Sequence, residues 1–525
     1  MRILLVMPAP FETGRLGLEN VVWLSEPVAL TAVGASVPDH DVRILDMRLE
    51  PEDALARELA DWQPHIVGTT SMTTDAYQAK AVLRTARQIL PTCLTVVGGH
   101  HPTLCPEEFS EDYIDIIVQG EGELTFAEIV ARHETALTGE RNFQGITGTR
   151  WQDVEGQRHV ECKRAQTVQI DDLPAPDRSL IKQYAEHYFF TAVRPMASIF
   201  TSRGCSFDCN FCAIWEFYER RVRYLSATKI ADQMEACEED FIFVLDDNFL
   251  VNKKRILELC DELESRNIKK YWMTQGRCDW VADNPEIMAR LAKNGLVGLL
   301  SGYESNDDDQ LAALRKKSSW DKNIRANEIM AELGIFSTGI FMVRPDWTVE
   351  QFDKLYEYIN TLKVGIPLIT ILTPLPGTAL YRAKKDQLLT HDHRLFDLLH
   401  PVLPTRLPRE EFYAQFSRSV DAVRPSIRKA ITNFAKKHPG MVWKLLPQIA
   451  RFYARTFRYQ AMHRDPQTFL RDEEGLLVGP GVGLDWTDID YPDAEDPTPK
   501  LPAVVGQKAR KAPPLWADEV TPAAK

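Results

Sequence analysis

The stretch Ser202-Arg203-Gly204-Cys205-Ser206-Phe207-Asp208-Cys209-Asn210-Phe211-Cys212 sets three cysteines on one short loop, spaced C-x3-C-x2-C. An aromatic residue, Phe211, stands just before the last of them. Thiolates are soft ligands that suit iron–sulfur clusters and zinc. Three local thiolates do not close a tetrahedral site. A [4Fe–4S] cluster held by them keeps one iron open for a further ligand, whereas zinc requires a fourth ligand from elsewhere. The run Met196 to Thr201 just ahead predicts a strand, and Gly204 supplies a turn, so the cysteines fall on the loop that leaves the strand.

Downstream of that loop, short apolar runs recur at Phe241–Leu245, Tyr271–Gln275, Val297–Ser301, Ser337–Met342 and Pro367–Leu372. Between them Ser226–Cys237, Lys253–Arg266 and Pro285–Asn294 have helical spacing. Ser226 suits an N-cap and Pro285 a first helical turn. Six such units over residues 191–400 predict a partial barrel, whose chemistry lies at the carboxyl ends of the strands. Those ends carry Asp246-Asp247-Asn248, Gln275-Gly276-Arg277, Gly302-Tyr303-Glu304-Ser305 and Thr373-Pro374-Leu375-Pro376-Gly377-Thr378. Buried polar groups there need partners, and a nucleoside-like ligand supplies several. Glu304 and Ser305 suit a ribose or an ammonium group; the plainer reading is that Glu304 caps the next helix. Trp215, Phe217 and Tyr218 suit shielding from water, and Arg220, Arg221 and Arg223 suit pairing with carboxylate or phosphate.

Upstream, residues 1–138 alternate buried strands (Ile3–Val6, Val42–Leu45, Ile66–Thr69, Leu94–Val97, Ile116–Val118) with helical patterns (Val28–Ser36, Glu52–Asp61, Ala76–Ile89). This alternation predicts a doubly wound parallel sheet, an α/β fold that binds ligands at its strand carboxyl ends. Asp46, Ser71, Gly98-Gly99-His100-His101-Pro102-Thr103 and Gln119-Gly120-Glu121-Gly122-Glu123 stand at those ends. Glycines there let a backbone approach a flat ligand closely, and ordinary strand-to-helix turns have the same composition. Adjacent histidines can ligate metal; His100 and His101 read rather as wall of the turn. Residues 139–190 are polar and turn-rich and read as a linker.

The charge and cysteine content bound the function. The chain of 525 residues is too long for one core, and its net charge of −13 disfavours a nucleic-acid partner. Nine cysteines, with one tight group, argue against a disulfide framework and for a reducing cytoplasm. No apolar run is long enough to span a bilayer. Residues 401–483 read as a helical region. Between Arg424 and Arg464 it holds ten Lys or Arg and no Asp or Glu, interleaved with Trp443, Phe452, Tyr453, Phe457 and Tyr459. Such helices suit peripheral contact with an anionic membrane, or a cap on the acidic body. Residues 484–525 have the composition of a disordered tail.

The cysteine string resembles the signature of the radical S-adenosylmethionine (SAM) family. Gly-Gly-x-His-Pro-Thr at 98–103 followed by Gly-Glu-Gly-Glu at 120–123 is similar to the cobalamin-binding domain fused before many radical SAM enzymes, and Gly-x-Glu-Ser at 302–305 and Pro-x-Pro-Gly-Thr at 374–378 recur in the same class. The resemblance implies three cofactors: a [4Fe–4S] cluster on Cys205, Cys209 and Cys212, SAM, and cobalamin. It implies that SAM lies along Phe211, Gln275, Glu304 and Ser305. It implies that cobalamin lies along Ser71, Gly98, Gly99, Pro102, Thr103, Gly120 and Glu121. The string Asp-x-His-x-x-Gly, which would put a histidine on cobalt, is absent, so the resemblance implies a cobalt without one.

Within the class, the chain looks most like the hopanoid C-3 methylase type. The basis is Cys212-Ala213-Ile214-Trp215-Glu216-Phe217-Tyr218, Asp246-Asp247-Asn248-Phe249 and Arg344-Pro345-Asp346-Trp347-Thr348. That implies a C-methyltransferase that carries methyl from SAM by way of cobalamin to an unactivated carbon of a small molecule. The substrate would be hydrophobic, hopanoid- or terpenoid-like, or a secondary metabolite, and a flavodoxin or ferredoxin would supply electrons. The alternatives are a non-methylating enzyme that cyclises a tetrapyrrole, and a non-catalytic cobalamin or metal sensor.

Overall fold

The expected apolar runs form two parallel sheets in the computed structural model, which describes residues 1–9, 22–135, 142–166 and 168–477. The tail beyond residue 477, with the disorder expected for 484–525, lies outside the described residues. The first sheet contains β1 (Arg2–Met7), β2 (Asp41–Asp46), β3 (Ile66–Thr70), β4 (Leu94–Gly98), β5 (Ile116–Val118), β6 (Thr149–Gln152) and β7 (Arg158–Val160), in the order β2-β1-β3-β4-β5-β6-β7. β1 to β5 run parallel, and β6 and β7 add an antiparallel edge. The order 2-1-3-4-5 is the flavodoxin-like winding, which opens ligand crevices at the carboxyl ends. Strands β1, β3, β4 and β5 are buried on both faces. Leu5, Val96 and Val118 pack toward Phe126 and Leu30, whereas Leu4, Val6 and Val97 pack toward Leu59 and Leu83.

The polar segment 139–190 has structure of its own. It supplies β6 and β7, and its 3-10 turns from Arg178 to His187 bring Ile181 and Tyr184 onto the first sheet. Trp151 faces inward from β6, 4% exposed, among otherwise polar neighbours.

The second sheet follows β8 (Ala197–Ile199), β9 (Phe241–Val244), β10 (Tyr271–Gln275), β11 (Leu296–Glu304), β12 (Phe336–Val343) and β13 (Ile366–Ile371) in sequence order, all parallel. Six consecutive parallel strands with helices between them make an open, partial barrel. Period-two alternation divides its residues. Ile242, Trp272 and Leu299 pack outward under the helices, while Phe243, Met273 and Leu300 join clusters with Phe190, Val22, Trp23 and Leu368. Ser226 caps its helix by accepting from the Lys229 N–H at 3.4 Å, and Pro285 opens its helix at the first turn.

The two sheets are fixed to each other by buried charge. Glu26, 3% exposed, accepts from the Ser198 N–H of β8 at 2.9 Å and from Arg178 at 2.6 Å, and Arg178 also bonds Glu239 at 2.9 Å. Removing one partner of such a group costs about 3–5 kcal/mol, because the other charge stays buried. The C-terminal region packs as helices, including Arg424–Lys437 and Pro439–His463. No helix among the described residues is long and apolar enough to cross a membrane.

Candidate active site between the sheet and the barrel

The carboxyl ends of the two sheets meet around a cavity of about 330 Å³. One wall is Gly68, Thr69, Gly98, Gly99, Gly120 and Glu121; the facing wall is Ser202, Arg203, Phe217, Tyr218 and Asp247. Gly99 has φ 107°, and a Cβ there would lie 2.6 Å from Thr70 Oγ1 and 2.7 Å from the Ser71 carbonyl oxygen. Only glycine fits this turn. Gly68, inside β3, leaves room for a Leu5 methyl 2.9 Å from where its Cβ would be. Thr103 ties the two glycine turns together, donating to the Gly99 carbonyl at 2.7 Å and accepting from the Gly120 N–H at 2.9 Å. Pro102 is buried beside it. Ser71 is fully buried and donates to the Met72 carbonyl at 2.8 Å.

His100 lines this cavity and stacks on Phe217 at 4.3 Å. Burial pushes its imidazole pKa down to about 4, so it is neutral at pH 7. Its Nε2 is buried with no partner from the chain. A buried orphan acceptor or donor costs about 1–3 kcal/mol, and a ligand can supply the missing bond. With the glycine cradle, this fits a flat, nucleotide-sized part of a larger ligand such as cobalamin. Glu121 and Glu123 of the same turn are engaged otherwise. Arg203 and Arg223 both pair with Glu121, through contacts at 3.1 and 3.0 Å, and Arg203 also pairs with Glu123. The Glu121 carboxylate thus links sheet to barrel at the edge of the cavity.

The cysteine loop is pinned from β9. Asp246, fully buried, accepts from the Thr201 and Ser202 N–H groups at 2.6 and 2.9 Å and from both their hydroxyls at 2.5 Å. Asp247 accepts from the Gly204 N–H at 3.0 Å, and burial raises its pKa to about 6. Gly204 takes φ 92°, with the Arg221 carbonyl and the Tyr218 ring where a side chain would go. Burial raises all three thiols, Cys212 to about 12, so a bound metal, rather than the protein, would draw off their protons. Three thiolates on one short loop are a donor set that fits a cluster.

Two cations face the thiols. Lys316 Nζ lies 2.8 Å from Glu304 Oε1; burial opposes its charge, and Glu304 more than offsets that, so its pKa is raised. Arg277 is held bidentate by Asp279 at 2.9 Å and lies 3.8 Å from the centre of the Phe207 ring. Both favour anionic sulfur at Cys205 and Cys209. Glu304 adopts φ 59° beside a bulge in β11, the kink that brings its carboxylate to Lys316. It does not cap the following helix. Ser305 instead serves that turn, donating to Gln310 at 2.9 Å and accepting from the Asp307 N–H at 3.2 Å. Gln275 ends β10, and Phe211 packs with Leu314, Met342, Leu372 and Leu380. Asn248 is buried with both amide atoms lacking a partner in the chain, a second orphan at the barrel mouth. The Pro-x-Pro-Gly-Thr turn closes onto the sheet: at Gly377, φ 85°, a Cβ would meet Leu104 at 2.8 Å.

Sequence reading missed Lys316, Asp246's role as anchor and the Arg203–Glu121–Arg223 link. Lys316 sits in a plain Lys-Lys pair with no periodic signal, and the other two depend on which residues meet across the sheets.

Comparison with known proteins agrees with this geometry. A B12-binding domain family matches residues 14–130, and the radical SAM superfamily matches residues 199–359. The hopanoid C-3 methylase of Methylococcus capsulatus is 32% identical over 426 residues, covering 80% of this chain and 79% of the relative. The anaerobic magnesium-protoporphyrin IX monomethyl ester cyclase of Cereibacter sphaeroides is 29% identical, covering 68% of this chain and 60% of that protein. The solved structure of the cobalamin-dependent SAM radical enzyme OxsB, with aqua-cobalamin and SAM bound, superposes with a TM-score of 0.62 at 14% identity. It covers 90% of this chain and 74% of that one. The chain belongs to the cobalamin-binding radical SAM family and is a radical SAM methyltransferase.

Proposed function

We propose that this methyltransferase acts on an unactivated carbon of a hydrophobic, polycyclic lipid of the hopanoid or terpenoid kind, which it meets at a membrane surface. When bound, the cluster, SAM and cobalamin supply the radical and the methyl group. The chain's own residues position and insulate. Cys205, Cys209 and Cys212 would hold the cluster, and Lys316 and Arg277 balance its negative charge. Glu304 holds Lys316, and with Gln275 and Ser305 it stands where SAM would lie. The glycine turns at 98–99 and 120, with His100, would take cobalamin. The apolar residues facing the barrel interior, among them Met273, Leu300 and Leu368, exclude water from a site where a radical must not be quenched.

One observation carries the lipid reading. Helix Pro439–His463 exposes Trp443, Leu446, Tyr453 and Phe457, at 77, 44, 52 and 70%. These positions are spaced by three, seven and four residues, whole numbers of helical turns to within a fraction, so they form one stripe along the helix. Lys444 and Arg451 are exposed on another face of the same helix, and helix Arg424–Lys437 exposes Arg428, Lys429, Lys436 and Lys437. Aromatic residues amid basic ones, on a chain of net charge −13, suit an anionic lipid interface. Each basic residue near such a surface contributes about 1 kcal/mol. Not every cation is free for this, since Arg464 pairs with Asp421 and Arg455 lies over Phe189.

The test is sedimentation with anionic liposomes. The parent is expected to bind, more weakly as salt rises, because charges are screened within about 10 Å at 0.1 M. Charge reversal at Lys436, Lys437 and Lys444, or Trp443→Ser with Phe457→Ser, is expected to reduce binding while SAM cleavage continues. Binding that is unchanged in both variants, or a stripe that instead pairs two copies of the chain in solution, refutes the membrane reading.

A further inference from the structure

A second metal-binding constellation stands apart from the cysteines. His101 lies on the short helix His100–Leu104 after β4, Glu108 on the turn Pro106–Phe109, and His393 on the turn His393–Leu395 beyond the barrel. Glu108 Oε2 is 3.1 Å from His101 Nε2 and 2.9 Å from His393 Nε2. The three ligand atoms all lie within 4.8 Å of one another, the one such trio of His, Cys, Asp or Glu among the described residues.

We propose that His101, Glu108 and His393 bind a divalent cation, zinc in the first instance. Two imidazoles and one carboxylate are a borderline nitrogen–oxygen donor set that zinc accepts with a fourth position left to water. With bonds of about 2.0–2.2 Å, the ligand atoms around a tetrahedral ion stand about 3.3–3.5 Å apart. Shifts of under about 1 Å bring the observed atoms to that spacing.

The surroundings hold the rings for this task. Thr73 Oγ1 lies 3.3 Å from His101 Nδ1, the outer nitrogen, where a second partner fixes which nitrogen faces the metal. Phe109 meets the His101 ring edge-on at 5.6 Å, and Phe396 stacks on His393 at 5.7 Å. The histidine side chains are 1 and 11% exposed, whereas Glu108 is 37% exposed and opens a path from solvent. The ion would fasten the turn that carries His100, and with it one wall of the cavity, to the segment after the barrel. Its role is a staple between the cobalamin-side turn and the C-terminal part, separate from the radical chemistry.

The experiment uses the full chain with its [4Fe–4S] cluster loaded, so that the cysteine thiolates are occupied. Zinc is added, excess is removed by gel filtration, and zinc and iron are counted in the same sample by plasma mass spectrometry. About one zinc per chain is expected, with an X-ray absorption spectrum of nitrogen and oxygen neighbours at about 2.0–2.1 Å. Glu108→Gln and His393→Gln are each expected to lose most of the zinc while iron is unchanged. A parent that retains no zinc, sulfur neighbours at about 2.3 Å, or zinc retained equally in both variants overturns the assignment. The absorption spectrum of the parent decides the ligands even where a variant fails to fold.

Discussion

Asp246→Asn is the sharpest perturbation of the cysteine loop. The carboxylate is fully buried and accepts four bonds, two from backbone N–H groups and two from hydroxyls, all at 2.5–2.9 Å. Asparagine keeps one oxygen acceptor and turns an NH₂ toward the remaining donors. A bond to a charged group is worth about 1.5–3 kcal/mol and a neutral one about 0.5–1.5. Four bonds that each lose about 1 kcal/mol give about 4 kcal/mol. Arg255, 3.7 Å away and 5% exposed at its side chain, also loses its carboxylate partner, which adds to the cost. The loss is local, because these bonds hold Thr201 and Ser202 just ahead of Cys205. Hydrogen exchange measured by mass spectrometry over residues 201–212 is expected to speed up by about a thousandfold, the rate equivalent of about 4 kcal/mol. Iron retained after reconstitution is expected to fall with it, while exchange in β1 to β4 stays as in the parent. Parent-like protection of 201–212 together with a full iron complement would refute the reasoning, since the loop would then be fixed by something other than Asp246.

Further outcomes follow from the same geometry. Cys205→Ala, Cys209→Ala and Cys212→Ala are each expected to abolish SAM cleavage, measured as 5′-deoxyadenosine; one variant with a full cluster and normal cleavage would remove the cluster assignment. Electron paramagnetic resonance of the Co(II) form is expected to show no nitrogen splitting from a protein ligand; clear splitting, lost in His100→Ala, would place the orphan Nε2 of His100 on cobalt. Asp397 lies 3.0 Å from His400 Nδ1 and, against burial, raises the imidazole's pKa, while its own is lowered. The histidine's contribution is full below its unfolded value of about 6.5 and fades as pH rises through the raised value; the carboxylate's is lost only as pH falls below about 4. Asp397→Asn is therefore expected to lower the melting temperature more at pH 6 than at pH 9, and an equal loss at both would contradict the pairing.

Much of this fold was legible because its strands are short apolar runs separated by helical patterns. All five parallel strands of the first sheet and all six of the barrel fall where those runs lie. The hairpin at Thr149–Gln152 and Arg158–Val160 was not legible. It is an antiparallel edge in which only Thr149 and Trp151 face inward and most other residues are Arg, Gln or His, so it lacks the apolar content that betrays a buried strand. The cysteine spacing was readable because all three cysteines lie on one short stretch of chain. The residues that tune it were not. Lys316 reaches Glu304 through a kink in β11, and the Glu121 link to Arg203 and Arg223 depends on how two sheets dock. The same limit hid His393, which is remote in sequence from His101 and Glu108 and meets them only in the folded chain. Local pattern reports what one element buries, not what two distant elements share.

Methyl transfer to a hydrophobic carbon leaves a label that can be followed from SAM to product. The chain, reconstituted without oxygen with cluster and cobalamin and given a reductant, is incubated with methyl-labelled SAM and a polycyclic lipid extract, and the products are read by mass spectrometry. 5′-Deoxyadenosine together with labelled methyl on a lipid carbon is the expected result. Formation of 5′-deoxyadenosine with no label in any product would contradict it and favour a cyclising activity, the reaction for which the relative from Cereibacter sphaeroides is named.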